Sequence, residues 1–283
     1  MKPSRFEYRS PETLDEAVAL LAADHGAKLI AGGQSLIPVL AFRLAAPSLL
    51  VDLRRLPDLG KITIDADGVG LGATVRWRDI EDEPQLASAQ PLLQAAVGHV
   101  ARYQIRNRGT VGGSLAHADP AAELPGIAVT CEGQITVVGS AGWRRIPASE
   151  FFTAPLTTEL HSDEIITELR LPPWPVARRW GFEEFALRQG NFALAGIALY
   201  YDEDEQGRAR NAHVGVIACA AVRIAWCRSK LRSTGGRSTS KRWRICMPTR
   251  STAAHWLQPW SSAHCAQQRR DGVRDAVLFH RQR

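Results

Sequence analysis

The chain has 283 residues, with 35 Lys and Arg against 29 Asp and Glu and only five Cys. A chain of this length buries a substantial core and holds two or three subdomains. No stretch approaches the roughly 18 consecutive apolar residues of a membrane span, and Met1-Lys2-Pro3-Ser4-Arg5-Phe6-Glu7-Tyr8 lacks the apolar segment of a secretory signal. The cysteines, at 131, 219, 227, 246 and 265, form no C-x-x-C pair. That argues against a zinc site, a thiol redox motif or an iron–sulfur cluster held by this chain, and makes a cytoplasmic location the expectation.

In chain order, Thr13-Leu14-Asp15-Glu16 reads as a capping box. Leu14, Ala17, Val18 and Leu21 then form one apolar helical face. Lys28-Leu29-Ile30-Ala31 predicts a short strand, and residues 49–53 a second, buried strand between Pro47 and Pro57. This β/α/β start makes a first subdomain over residues 1–57. Residues 61–65 and 69–75 predict a hairpin around Ala66-Asp67-Gly68. Residues 79–83 begin a short helix, and residues 91–103 predict a longer one with Leu93, Ala96, Val97 and Val100 inward. Residues 125–130, 134–138 and 164–171 are expected to complete a mixed sheet, giving a second subdomain over 58–175. Pro172-Pro173-Trp174-Pro175 excludes helix and central strand and reads as a linker. Residues 193–201 and 208–218 predict an antiparallel pair around an acidic turn, opening a third subdomain over 176–218. Gly68-Val69-Gly70-Leu71-Gly72 is a decoy: it lacks the G-x-G-x-x-G spacing and lies in a strand pattern.

Two glycine pairs carry most of the chemical information. They lie in Ala31-Gly32-Gly33-Gln34-Ser35-Leu36-Ile37-Pro38 and in Arg106-Asn107-Arg108-Gly109-Thr110-Val111-Gly112-Gly113-Ser114-Leu115-Ala116-His117-Ala118-Asp119-Pro120. Glycine lets backbone N–H groups approach a ligand in conformations closed to other residues. A run of such groups forms an anion-binding concavity, and two of them can hold the two phosphates of a dinucleotide. Lys28, Arg102, Arg106 and Arg108 are candidates for softening a diphosphate charge, against an ordinary role as solvated surface. Asp119 is either a carboxylate for ribose hydroxyl donors or a helix N-cap ahead of Pro120.

The first motif matches A-G-G-x-S-L-x-P throughout, and the second follows R-N-x-G-T-[IV]-G-G-[NS]-L-x-x-[AG]-D-P closely. On these two motifs the chain resembles the FAD-binding subunits of the molybdenum hydroxylases, the group of the carbon monoxide dehydrogenase medium chain and the xanthine dehydrogenase flavin domain, from about residue 3 to about residue 218. The resemblance implies an α+β chain of the PCMH-type, vanillyl-alcohol-oxidase-like FAD-binding fold: two α/β subdomains plus a C-terminal α/β subdomain. It implies FAD contacts from Ala31, Gly32, Gly33, Gln34, Ser35 and Leu36 on one side. Thr110, Val111, Gly112, Gly113 and Ser114 would approach from the other. Asp119 and Glu123 would lie toward the nucleotide and the Ile166 backbone against the isoalloxazine ring. His117 is a flavin-edge candidate, against the structural role more usual for a lone histidine. The resemblance implies no catalytic side chain. Two departures stand out: Ser114 replaces a frequent Asn, and Glu183 falls where relatives present a basic residue, leaving Arg188 as the nearest cation.

The same resemblance implies a small partner subunit with two [2Fe-2S] clusters and a large one with the molybdopterin cofactor, assembled as a dimer of heterotrimers. This chain would pass electrons from the clusters to an external acceptor. The rival is a stand-alone FAD-dependent oxidase or dehydrogenase of the vanillyl-alcohol type, but such enzymes run longer and carry substrate domains of their own. Residues 221–283 hold twelve Arg and two Lys against two Asp and no Glu, a net charge of +12, whereas residues 1–220 carry −6. Residues 219–283 therefore read as an atypical basic tail. It is either the product of a shifted reading frame, without fixed structure, or a genuine arm that binds a partner subunit or nucleic acid. The missing Glu and scattered Trp favour the first, so no nucleic-acid partner is expected.

Overall fold

An unbroken apolar run makes a strand buried on both faces. Leu49-Leu50-Val51-Asp52 accordingly takes the centre of the first sheet in the computed structural model, which describes residues 2–218. That sheet is parallel, in the order β1 (Glu7–Arg9), β3 (Leu49–Asp52), β2 (Lys28–Ile30). The helix Leu14–Ala23 covers it, burying Ala17 and Leu21. Thr13 Oγ1 accepts the Glu16 N–H at 3.2 Å, but Glu16 Oε2 accepts from the Glu12 N–H rather than from Thr13, so the predicted capping box closes one residue early. Strand β1 went unpredicted because it is short and exposed at all three positions, leaving no alternation to read.

The second sheet contains β4 (Ile62–Asp65), β5 (Gly68–Gly72), β6 (Gln134–Gly139), β7 (Gly142–Pro147) and β10 (Ile165–Leu171), in the order β4-β5-β10-β6-β7. Every pairing in it is antiparallel, which corrects the expected mixed sheet. The glycine-rich decoy is β5, buried along its length. A short ribbon, β8 (Phe152–Ala154) with β9 (Thr157–Thr158), stands apart. The predicted strand at 125–130 is instead part of a helix, Glu123–Thr130. All eight of its residues are buried, so it has no polar face and no helical period. Pro125 sits in its first turn, where the missing N–H has no helical partner to lose. The helix predicted over 91–103 breaks after Pro91–Val97 at Gly98 and resumes as Tyr103–Arg106.

The third sheet is a meander of β11 (Arg179–Phe185), β12 (Ala195–Glu203) and β13 (Ala209–Ile217). It packs on the helix Glu123–Thr130, where Gly126 makes room for Ile217. Arg178 locks its outer end. Its Nε and Nη2 donate to the two Asp202 oxygens at 2.9 and 3.1 Å, and its guanidinium lies 4.3 Å from the Tyr200 ring centroid. With only 10% of the Arg178 side chain exposed, Arg178→Met is expected to cost about 2 kcal/mol, since it leaves Asp202 to the Asn211 amide without a counter-charge and removes the cation–π contact. Urea denaturation checks this, and an unchanged midpoint would refute it. Met1 and residues 219–283, with the reading of the basic tail, lie outside the described residues. Among those described, no helix is long and apolar enough to cross a membrane.

Candidate functional site

Strand β2 leaves the first sheet at Ile30 and enters the first glycine motif. Gly33 takes φ +71°, a left-handed conformation that glycine adopts without steric cost. The turn is fixed by Gln34 Nε2 donating to the Gly32 carbonyl at 3.2 Å and by the Ile37 N–H donating to the Gly33 carbonyl at 3.0 Å. The backbone N–H groups of Gly32, Gly33, Gln34 and Ser35 meet no acceptor among the described residues. Ser35 makes no capping bond to the helix Leu36–Ala41 that follows. Four consecutive open donors need an acceptor from beyond the described residues, such as a ligand, or water.

The second motif is built differently. Its glycine pair is not a loop but the first turn of the helix Val111–His117, capped by Thr110, whose hydroxyl accepts the Gly113 N–H at 3.2 Å. Val111 N–H donates to the Val75 carbonyl at 2.9 Å, Gly112 N–H to Ala73 at 2.8 Å and Ser114 N–H to Thr110 at 3.0 Å. The expectation that both pairs offer N–H concavities is corrected here: Val111 and Gly112 spend their donors fastening the motif to residues 73–75, and Gly113 and Ser114 spend theirs on Thr110. What this motif brings to the first is its backbone. A Cβ built on Gly32 would lie 2.0 Å from the Arg108 carbonyl oxygen and 3.0 Å from Gly109 Cα. The two motifs thus touch main chain to main chain.

A cleft of about 390 Å³ opens at this contact, lined by residues 30–34, Ile37, Pro38, Arg54 and Arg108. Ser35 is exposed and Leu36 half-buried, both beyond the lining. Of the proposed cations, only Arg108 lines the cleft. Arg106 is taken structurally: its Nη1 donates to the Val100 and Ala101 carbonyls at 3.0 and 2.9 Å, and its Nε lies 3.0 Å from Glu81 Oε1. Arg54 went unnoticed in the sequence. The signal was Asp52, an acid closing an apolar strand, which on burial requires a cationic or hydrogen-bonding partner.

Ile166 sits on β10 opposite Val137 with its side chain in the core, so only its backbone is available to a ligand. The register shifts between Ile166 and Glu168, and the Thr167 carbonyl there accepts the Ala73 N–H at 3.0 Å. Asp119 is not the helix cap; its Oδ1 accepts the Ala121 N–H at 2.9 Å and shapes the turn, while Ala122 stands at the N-cap. Glu123 opens the helix and is only 7% exposed. Burial pushes its carboxyl up to about 7; its own backbone N–H opposes this and the Glu184 and Asp119 carboxylates add to it. The acid brought to this corner is therefore Glu184, with Oε2 buried and unpartnered, rather than the exposed Glu183. The two alternate along β11, so recognising that strand would have separated them.

The open donors, the glycine-sized gap and the flanking arginines fit the diphosphate of a dinucleotide. Residues 4–174 match the family described as FAD binding domain in molybdopterin dehydrogenase. The chain is 43% identical over 199 residues to the nicotine 6-hydroxylase medium subunit of Paenarthrobacter nicotinovorans, covering 70% of each. It is 36% identical over 239 residues to the carbon monoxide dehydrogenase medium chain of Hydrogenophaga pseudoflava, covering 84% of this chain and 80% of that one. Quinoline 2-oxidoreductase from Pseudomonas putida 86 superposes with a TM-score of 0.75 at 39% identity, over 78% of this chain and 76% of that one. The architecture is that of a PCMH-type FAD-binding flavoprotein. Within that class, the chain belongs to the FAD-binding subunits of the molybdopterin dehydrogenases, a family of oxidoreductases.

Proposed function

We propose that this chain is the electron-transfer subunit of a cytoplasmic, multi-subunit molybdenum hydroxylase, handing electrons from the [2Fe-2S] clusters of a small partner to an external acceptor. A large partner carries the molybdopterin cofactor and selects the substrate, and the whole is a dimer of heterotrimers. The observation that carries the reading is the set of four open N–H groups at residues 32–35, closed from the far side by the Arg108 backbone.

The chemistry FAD supplies when bound is electron exchange between the partner's clusters and that acceptor. The chain's own part is to bind and orient. Gly32, Gly33, Gln34 and Ser35 donate to the diphosphate, and Ala31 and Leu36 flank that turn. Thr110, Val111, Gly112, Gly113 and Ser114 hold the opposing wall. Asp119 and Glu123 offer carboxyl oxygens to nucleotide hydroxyls, and the Ile166 backbone borders the flavin end. No side chain acts as a nucleophile.

The purified full chain is expected to absorb as an oxidised flavoprotein and to release FAD into the supernatant on acid treatment. A colourless chain that takes up no added FAD would overturn the reading.

A further inference from the structure

We infer that Arg54 is an anion-binding arm of the cleft, held ready by Asp52 and Tyr8, and that it takes a phosphate oxygen of the bound dinucleotide. The inference rests on the reading of the cleft as an FAD site.

Asp52 ends β3 and is 1% exposed. A buried carboxylate must be paired and hydrogen-bonded. Here Tyr8 Oη donates to Oδ2 at 2.5 Å, the Arg54 N–H donates to Oδ1 at 2.9 Å, and Arg54 Nε and Nη2 donate to Oδ2 at 2.8 and 2.5 Å. Burial raises the Asp52 pKa, but the bonds from Arg54 and Tyr8 outweigh it and the net shift is downward, so the carboxylate stays charged. These bonds occupy one edge of the guanidinium. The other edge, Nη1, meets no acceptor among the described residues, the Arg54 side chain remains 58% exposed, and it lines the cleft beside the open N–H groups.

If neutralising Asp52 were the only role of Arg54, nothing would require it to border the cleft. An arginine pinned along one edge has already lost the side-chain freedom that binding would otherwise remove. Its free edge presents N–H donors in the fork geometry that suits phosphate oxygens. Because Asp52 balances the charge of Arg54, the arm contributes directed hydrogen bonds, and the net positive charge of the cleft comes from Arg108. The acidic partner also sets the sign of a deletion: without the guanidinium, the buried Asp52 carboxylate is left without its counter-charge behind the cleft wall.

The test is titration of the full chain, freed of flavin, with FAD and separately with ADP, which carries the diphosphate without the flavin. Arg54→Met is expected to weaken both ligands roughly tenfold, the scale of one hydrogen bond to a charged group. Arg54→Lys restores part of the loss, and Tyr8→Phe, which loosens the arm while keeping its charge, weakens binding by about two- to threefold. Thermal melting confirms that each variant folds, and Arg54→Lys decides the matter if Arg54→Met does not. Unchanged FAD and ADP affinities in a folded variant would make the Asp52–Arg54 pair purely structural and overturn the inference, leaving the flavoprotein reading intact. A wild-type chain that binds no FAD would overturn both.

Discussion

Gly32→Ala yields a chain that is less stable and retains no flavin on purification. The added methyl would meet the Arg108 carbonyl oxygen at 2.0 Å and its carbon at 2.8 Å, far inside contact distance, and both atoms are main chain. No rotamer change relieves the clash, so the first turn and the second motif must separate. Overpacking a tight contact costs about 1–3 kcal/mol, and a backbone clash lies at the upper end. The effect on FAD is larger than the effect on folding, because the displaced segment carries all four open donors. Losing two charge-assisted bonds at about 1.5–3 kcal/mol each weakens affinity by two orders of magnitude or more. Gly33→Ala is the control. Its methyl meets side chains rather than backbone, Ile37 at 3.1 Å and Ile30 at 3.5 Å, and it costs about 1 kcal/mol for the left-handed φ. The flavin-to-protein absorbance ratio of the two variants reads the difference, and equal retention would place the cradle elsewhere.

The second large effect is on pH. Glu123 titrates at about 7 in the folded chain against 4.5 for a free glutamate, because burial disfavours its charge. Between those values the folded state holds a proton that the unfolded state has released. Stability is therefore fully present below pH 4.5 and falls as pH rises through about 7. A shift of this size corresponds to about 3 kcal/mol in all. Glu123→Gln keeps the shape and removes the titration, so urea midpoints at pH 5 and pH 8 should converge for the variant relative to the parent chain. An identical pH slope in both would show that the group is ionised throughout. The same protonation leaves Glu123 able to donate as well as accept at neutral pH, which suits a partner hydroxyl.

Much of this was legible in the sequence because it depends on local chemistry. The buried run at 49–52 and the antiparallel pair around 202–207 announce themselves by composition and turn residues. The first glycine motif likewise announces a strand-to-helix turn. What failed was decided by tertiary surroundings. The helix Glu123–Thr130 is buried on every side, so its pattern is indistinguishable from that of a buried strand. Thr110 reads as one more loop hydroxyl until its bond to Gly113 shows that it caps a helix. Arg54 and Glu184 became visible only once strands β3 and β11 had been placed.

The main-chain contact between Gly32 and Arg108 also ties cofactor capture to the order of synthesis. A chain emerging from the ribosome completes its first sheet early, yet the turn at residues 32–35 has no opposing wall until Gly109 and the helix that follows have left the tunnel. Closing so long an intervening loop is slow compared with local folding. Flavin uptake then reports that the first turn has met the second motif, and a nascent chain stalled before Gly109 would remain colourless however well its first sheet had folded.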